Sequence, residues 1–480
     1  MCKKFFFAIL NILFVISNNQ VLCNINVHVD ERFELTSIAF RLTGEPVFAQ
    51  KQPEAYVIEI NNYFEKYKNH ELVIFIEKQI STKQAFHFNL ITDLAADIQI
   101  LSDTIVISNK WITYFELNDT CRNQEDWTQA ELYEYLRLLN KFYHDTYFHS
   151  FYKAHQDFYN LIEKEFQDIV NQINTAWFVD FFGKPFEMEN IWLVPANGKH
   201  NFSLQRRDNN GKVYNNCAIG CSDVDSTGIP VFDHESLRIL IHEICHNYVN
   251  PICDAYKEVF ASICDTLYFH VEYMLKTSYY DDVDNVLYEG VNRMCEFAYY
   301  SDQNIFSQED LLQLIILEER KGFIWLEESL KLMNVFLRRH DKSQFFSDFM
   351  PVVKGFYHQV AADMIDYYLP KFKLRYPRVV ATIPAKNAVV DTTISEIVII
   401  FSQPMFTGFF WPSEFTNIDG VVSIPGDFDR IMWRDPYTYV VPLQKPLNPH
   451  TKYGYNVSSY FPNAKHFLSV DPYDLIFETK

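Results

Sequence analysis

The sequence predicts an α+β fold in two parts: a mostly helical domain with a small sheet, then an all-β sandwich. Three observations predict it. Apolar residues recur at spacings of three and four through residues 126–172 and 233–369, the period of helices that bury one face. A turn at Asp208-Asn209-Asn210-Gly211 interrupts the helical text, and Asn-Gly is among the strongest hairpin signals because Gly tolerates positive φ. Beyond Pro377 and Pro384 the helical period gives way to short alternating segments separated by Pro, Asn and Asp, as in a β-sandwich.

At 480 residues the chain is too long for one ordinary core, so several domains are expected. The boundaries read from the text are a leader at 1–23, a main domain at 24–377 and the β-sandwich at 378–480. Lys3 and Lys4 precede an apolar stretch at residues 5–16 that Asn18, Asn19 and Gln20 stop. That pattern predicts a signal peptide, because a span needs about 20 apolar residues. The mature chain is therefore expected to be exported, to a periplasm, cell surface or medium, with no transmembrane helix. Cys23 offers a lipid anchor, although Val21 and Leu22 stand where small residues would be expected.

Cleavage after Cys23 leaves Cys121, Cys217, Cys221, Cys245, Cys253, Cys264 and Cys295, an odd set that does not predict a disulfide framework. Cys217 and Cys221 could form a bridge or half a metal site, but a strand and its turn is the plainer expectation. Apolar residues make up 48% and charged residues 22%, which excludes wholesale disorder. The formal charge of −20 would repel phosphate backbones, so no nucleic-acid partner is expected.

Element by element, Val27-His28-Val29 and Val73-Ile74-Phe75-Ile76 read as strands and residues 54–67 as an amphipathic helix. One following helix carries Leu132, Tyr135, Leu136, Leu139, Phe142 and Tyr143 on a single stripe. Another carries Phe158, Leu161, Ile162, Phe166 and Ile169. The hairpin pairs residues 201–206 with 212–215. A further helix opens at Asp233, a good N-cap, and is expected to end at Asn250-Pro251, since Pro disfavours αR in its predecessor. Asp223-x-Asp225-x-x-Gly228 lacks the rest of a calcium loop and reads as an ordinary polar turn.

Residues 242–246 read His-Glu-Ile-Cys-His. On a helix His242 and His246 lie one turn apart on one face, the spacing at which two imidazole nitrogens reach one Zn²⁺ at about 2.0–2.1 Å. Glu243 points to the adjacent face, placed to take a proton from water without ligating the metal. With this motif the chain resembles the zincin metallopeptidases. The resemblance implies that His242 and His246 are metal ligands, Glu243 the general base, Zn²⁺ the cofactor and a peptide or protein the substrate. No Gly-x-x-His follows His246, so the implied third ligand is a Glu on a later helix, as in gluzincins. Asp30-Glu31-Arg32-Phe33-Glu34-Leu35, together with His246-Asn247-Tyr248-Val249-Asn250-Pro251, is similar to a family of secreted bacterial metallopeptidases of uncharacterised function.

Glu289 is the first choice for that third ligand, with Glu258 and Glu296 as alternatives. Residues 283–300 have a helical period. Gly290 is costly inside a helix unless a bulky group passes close by, and Arg293 one turn on could orient Glu289. On charge pattern alone Glu289, Arg293 and Glu296 form a solvated stripe. Tyr299, Tyr300 and His340 are candidates for an oxyanion donor. In the tail, Pro384-Ala385, Phe401-Ser402-Gln403-Pro404-Met405 and Leu447-x-Pro449-x-Thr451-x-Tyr453 resemble a bacterial Ig-like domain. The alternative reading is a non-catalytic cell-surface binding or adhesion protein carrying that module.

Overall fold

The computed structural model describes residues 25–82, 90–113, 115, 127–221, 223–339, 344–408, 420–457, 461–465 and 468–480. The expected signal peptide, with Cys2 and Cys23, lies outside the described residues, as do Cys121 and His340. The fold is α+β, with helices and small sheets. The chain divides into two compact units, one of Met1–Lys257, Val291–Tyr299 and Arg338–Met350, the other of Glu258–Gly290, Tyr300–Leu337 and Pro351–Lys480.

The first unit begins with β1 (Asn26–Val29) and α1 (Glu31–Arg41), followed by α2 (Glu54–Phe64), α3 (Glu71–Thr82) and α4 (Leu90–Ala96). A hairpin of β2 (Ile98–Leu101) and β3 (Thr104–Ile107) leads to α5 (Gln129–Asp145), α6 (Phe148–Ala154), α7 (Gln156–Val170) and α8 (Thr175–Phe182). Then come β4 (Asn190–Leu193), β5 (Phe202–Arg207) and β6 (Val213–Ile219), and α9 (His234–Thr277) as far as Lys257. The middle of α10 (Asn285–Asp302) and residues Arg338–Met350 complete this unit.

Strands β1, β4 and β6 are parallel, and β5 runs antiparallel to β6 at the edge. Asn26, Asn190 and Asn216 face one another across the parallel strands. Their amides bond in a row, at 3.2 Å and 2.9 Å, and fix the register. The turn between β5 and β6 is held by Asp208, whose Oδ1 accepts the N–H groups of Asn210 and Lys212, with Gly211 at φ 83°. Helices α1 and α4 cover the sheet through Phe33, Ala95, Ala96, Trp192, Leu204 and Ala218.

Three expectations are corrected. Val73-Ile74-Phe75-Ile76 is helical, within α3. Leu72, Val73 and Ile76 are buried there while Ile74 is 53% exposed. A short apolar run does not tell strand from helix, and here packing of one helical face decides. On α7 the buried stripe includes Tyr159, whereas Leu161 faces out. Finally, α9 does not stop at Pro251 but continues to Thr277. By contrast, α5 buries Leu132, Tyr135, Leu139, Phe142 and Tyr143 as its period requires, with Leu138 buried and Leu136 only half-buried, and is capped by a Thr128–Glu131 capping box.

The second unit contains the later part of α9, the start of α10, α11 (Gln308–Arg320), α12 (Leu326–Arg339), most of α13 (Phe346–Asp363) and α14 (Leu369–Leu374). The helical text ends at Leu374. Beyond it stand β7 (Val379–Ile383), β8 (Val389–Val390), β9 (Glu396–Phe401), β10 (Val422–Ser423), β11 (Met432–Asp435), β12 (Thr438–Pro442), β13 (Lys452–Val457) and β14 (Tyr473–Thr479). They form two four-stranded sheets, ordered β10-β13-β14-β8 and β11-β12-β9-β7. Alternate residues of both, among them Ile397, Ile399, Tyr439, Val441, Tyr453, Tyr455, Leu475 and Phe477, share one apolar core. Arg375, in the crossover from α14 to β7, pairs with Glu319 at 2.8 Å and Glu327 at 2.7 Å.

No helix among the described residues is long and apolar enough to cross a membrane.

Candidate metal centre

The centre is built on the first turns of α9. Asp233 caps the helix by accepting the N–H of Glu235 at 2.8 Å. Leu237, Leu240, Ile241 and Ile244 are fully buried and lock one face into the core. The helical period then brings His242 and His246 together, with their Nε2 atoms 3.1 Å apart.

The other ring nitrogens have partners of their own. Nδ1 of His242 lies 2.5 Å from Glu296 Oε2, and Nδ1 of His246 lies 3.0 Å from Asn250 Oδ1. A carboxylate and an amide oxygen both accept, which favours a proton on each Nδ1, while Asn292 Nδ2 also lies 3.2 Å from Nδ1 of His242. The two Nε2 atoms face each other at hydrogen-bond distance, and in the tautomer that carries its proton on Nδ1 each presents a lone pair to the other. In that tautomer a cation between them would relieve the repulsion of the lone pairs. Two nitrogens at 2.0–2.1 Å from a tetrahedral zinc stand about 3.3–3.4 Å apart, close to what the rings adopt. The donor set fits the metal.

Glu289 on α10 is the carboxylate that could hold a metal together with the two histidines. A carboxylate oxygen of Glu289 and a ring nitrogen from each histidine all lie within 4.8 Å of one another. Glu296, seven residues further on, does not share that position but stands behind His242. A carboxylate hydrogen-bonded to the outer nitrogen of a ligating histidine fixes its tautomer and raises its basicity. Asn292, between them in sequence, donates from Nδ2 to the carbonyl of His242 at 3.1 Å. Glu258 is exposed on α9. Twelve residues along a continuous helix put it about 18 Å from His246, out of reach once Pro251 fails to end the helix. The solvated Glu/Arg/Glu stripe is also overturned, since Arg293 is 2% and Glu296 0% exposed.

Glu243 is mostly buried beside this pair, 8% exposed. Cys217 on β6 is held protonated by burial first and by the Glu243 charge second. Burial, with Glu296 adding to it, does the same for Cys245. Free and buried, these thiols act as apolar packing and not as thiolate ligands, and Cys217 sits in a strand with Cys221 just beyond its end, bonded through its N–H to the carbonyl of Gly198. Tyr299 is fully buried, and its hydroxyl accepts the N–H of Asn174 at 2.8 Å, a structural engagement. Asp225 closes its own turn by accepting from Thr227 and Ile229, as a polar loop does.

The sequence reading missed the tasks of Asn250, Asn292 and Glu296. The i+4 spacing of Asn250 from His246 was the one signal available. Glu296 carried none, because its partner lies 54 residues away.

Among solved structures, the chain matches surface layer protein SbsC, domains 1-6, at 13% identity and a TM-score of 0.17, over 50% of this chain and 33% of that one. The S-layer protein rSbsC(31-844) matches at 12% identity and a TM-score of 0.17, over the same shares. This chain thus spans about a third of the length of these structures. No curated protein matches the chain. The model of the domain of unknown function DUF4932 matches residues 12–354. The chain belongs to the DUF4932 family.

Proposed function

We propose that this chain is an exported zinc-dependent peptidase of zincin type, with His242, His246 and Glu289 as metal ligands and Glu243 as general base. The observation that carries the reading is the pair of Nε2 atoms facing each other at 3.1 Å, with a Glu289 carboxylate oxygen in the same cluster. The two facing sheets after Pro377 support reading residues 378–480 as an Ig-like module appended to the enzyme.

When bound, zinc supplies Lewis acidity, which acidifies water and polarises a carbonyl. The chain's own residues do the rest. Glu296 and Asn250 hold the two rings in the tautomer that presents Nε2. Glu243 takes the proton of the attacking water as the new C–O bond forms. It then delivers that proton to the amine nitrogen as the C–N bond breaks.

Replacing Glu243 with Gln tests the assignment on the full mature chain. The variant keeps about one zinc per chain and loses peptide hydrolysis by a factor of roughly 10² or more. Retained hydrolysis would remove Glu243 from the mechanism. Wild-type protein that takes up no zinc would end the enzyme reading, and metal-free binding of a partner would favour an adhesion protein.

A further inference from the structure

We propose that Gln205, on the edge strand β5, is a positioning residue for His246 that supplies the hydrogen bond Pro251 removes from α9. The proposal rests on the zinc reading and explains why Asn247-Tyr248-Val249-Asn250-Pro251 follows the second histidine.

Proline inside a helix has no N–H, so the carbonyl four residues earlier loses its donor and the helix tends to kink or break. Here that carbonyl belongs to Asn247, the neighbour of His246, in a residue only 6% exposed. An unpaired carbonyl is poorly tolerated at such burial. The helix nevertheless runs through. Gln205 Nε2 lies 3.3 Å from Asn247 O, and the same amide group donates to Asn215 Oδ1 at 2.9 Å, which holds it in place.

Ser203, two residues earlier on the same face of β5, reinforces the grip. Its Oγ donates to Asn247 Oδ1 at 2.9 Å, and Asn247 Nδ2 reaches back to the carbonyl of Glu243 at 3.4 Å. The edge strand therefore holds residue 247 by both backbone and side chain. The adjoining turn contains His246 and Asn250, whose mutual bond orients the ring. If the turn opened at Asn247, Asn250 would leave Nδ1 and the direction of Nε2 would be lost. Pro251 thus frees one carbonyl for a specific partner on the sheet, and through it sets a metal ligand.

The experiment is a double-mutant cycle between Gln205→Ala and Pro251→Ala. Zinc affinity is read by competition with a chromophoric chelator, and geometry by the visible spectrum of the cobalt(II)-loaded protein. Gln205→Ala is expected to weaken zinc about tenfold, as loss of an outer support of a ligand does, and to alter the cobalt bands. In the Pro251→Ala background, where residue 251 regains an N–H, the same change is expected to cost less than about twofold. Gln205→Met keeps the length without the donor and is expected to match Gln205→Ala. Circular dichroism of the metal-free variants checks that they fold. Equal losses in both backgrounds, or none in either, overturn the positioning role while leaving the zinc site standing. Coupling seen in thermal stability alone, with zinc affinity unchanged, overturns it too. A wild-type chain that binds no zinc brings down the zinc reading and this role together.

Discussion

Glu296 Oε2 stands 2.5 Å from Nδ1 of His242, while Nε2 of the same ring faces His246. The relationship gives different surroundings to two carboxylates that the sequence offered for one task, Glu289 as first choice and Glu296 as an alternative. Glu296 bonds the ring of His242, and Glu289 is the one with an oxygen close to a ring nitrogen of each histidine.

Substitutions should rank accordingly. Glu296→Gln is expected to weaken zinc roughly 10- to 100-fold, the usual effect of removing an outer partner. Glu289→Ala is expected to weaken it further, because it removes a donor outright. Glu258→Gln is expected to leave it unchanged. Chelator competition on the three variants gives the order, and a Glu296 loss larger than the Glu289 loss would reverse the assignment.

Gly290 answers a different constraint. A Cβ there would lie 2.5 Å from the Tyr357 hydroxyl, which itself donates to the carbonyl of Val286 at 3.4 Å. Gly290→Ala should therefore cost about 1–3 kcal/mol in urea unfolding, despite the better helix propensity of Ala. In a Tyr357→Phe background the ring carbon at 3.6 Å is ordinary contact. There the same change should become neutral or stabilise by up to about 1 kcal/mol. An unchanged penalty would remove the hydroxyl as its cause.

Glu34 makes stability depend on pH. Burial pushes its carboxyl up to about 7, although the Tyr56 hydroxyl at 2.5 Å, the Ala196 N–H and Arg41 pull the other way. The folded chain keeps this proton to higher pH than the unfolded chain, whose carboxyl has the ordinary value of 4.5. The contribution is therefore full below pH 4.5 and is lost as pH rises through about 7. A shift of this size is worth about 3 kcal/mol. Glu34→Gln should flatten that part of the pH profile in urea titrations. Glu319, likewise pushed up to about 7 by burial, leaves a residual slope. A profile identical to wild type would refute the assignment.

What could be read from the text was local. The cap at Asp233, the hairpin at Gly211, the stripe of α5 and the place where helices yield to strands all follow from residues a few positions apart. So does the pairing of His242 with His246, because one helical turn fixes their spacing whatever surrounds them. The text misread α3, where four apolar residues suit either period and only packing chooses between them. It also ended α9 at Pro251, since the donor that spares the helix sits on β5, 42 residues away. The role of Glu296 was hidden for the same reason. The sequence by itself determined that two imidazoles share a helix face. The tertiary structure decided which ring nitrogens turn toward each other, because the acceptors on the opposite sides come from the next turn and from another helix, through side-chain hydrogen bonds that no short-range rule specifies.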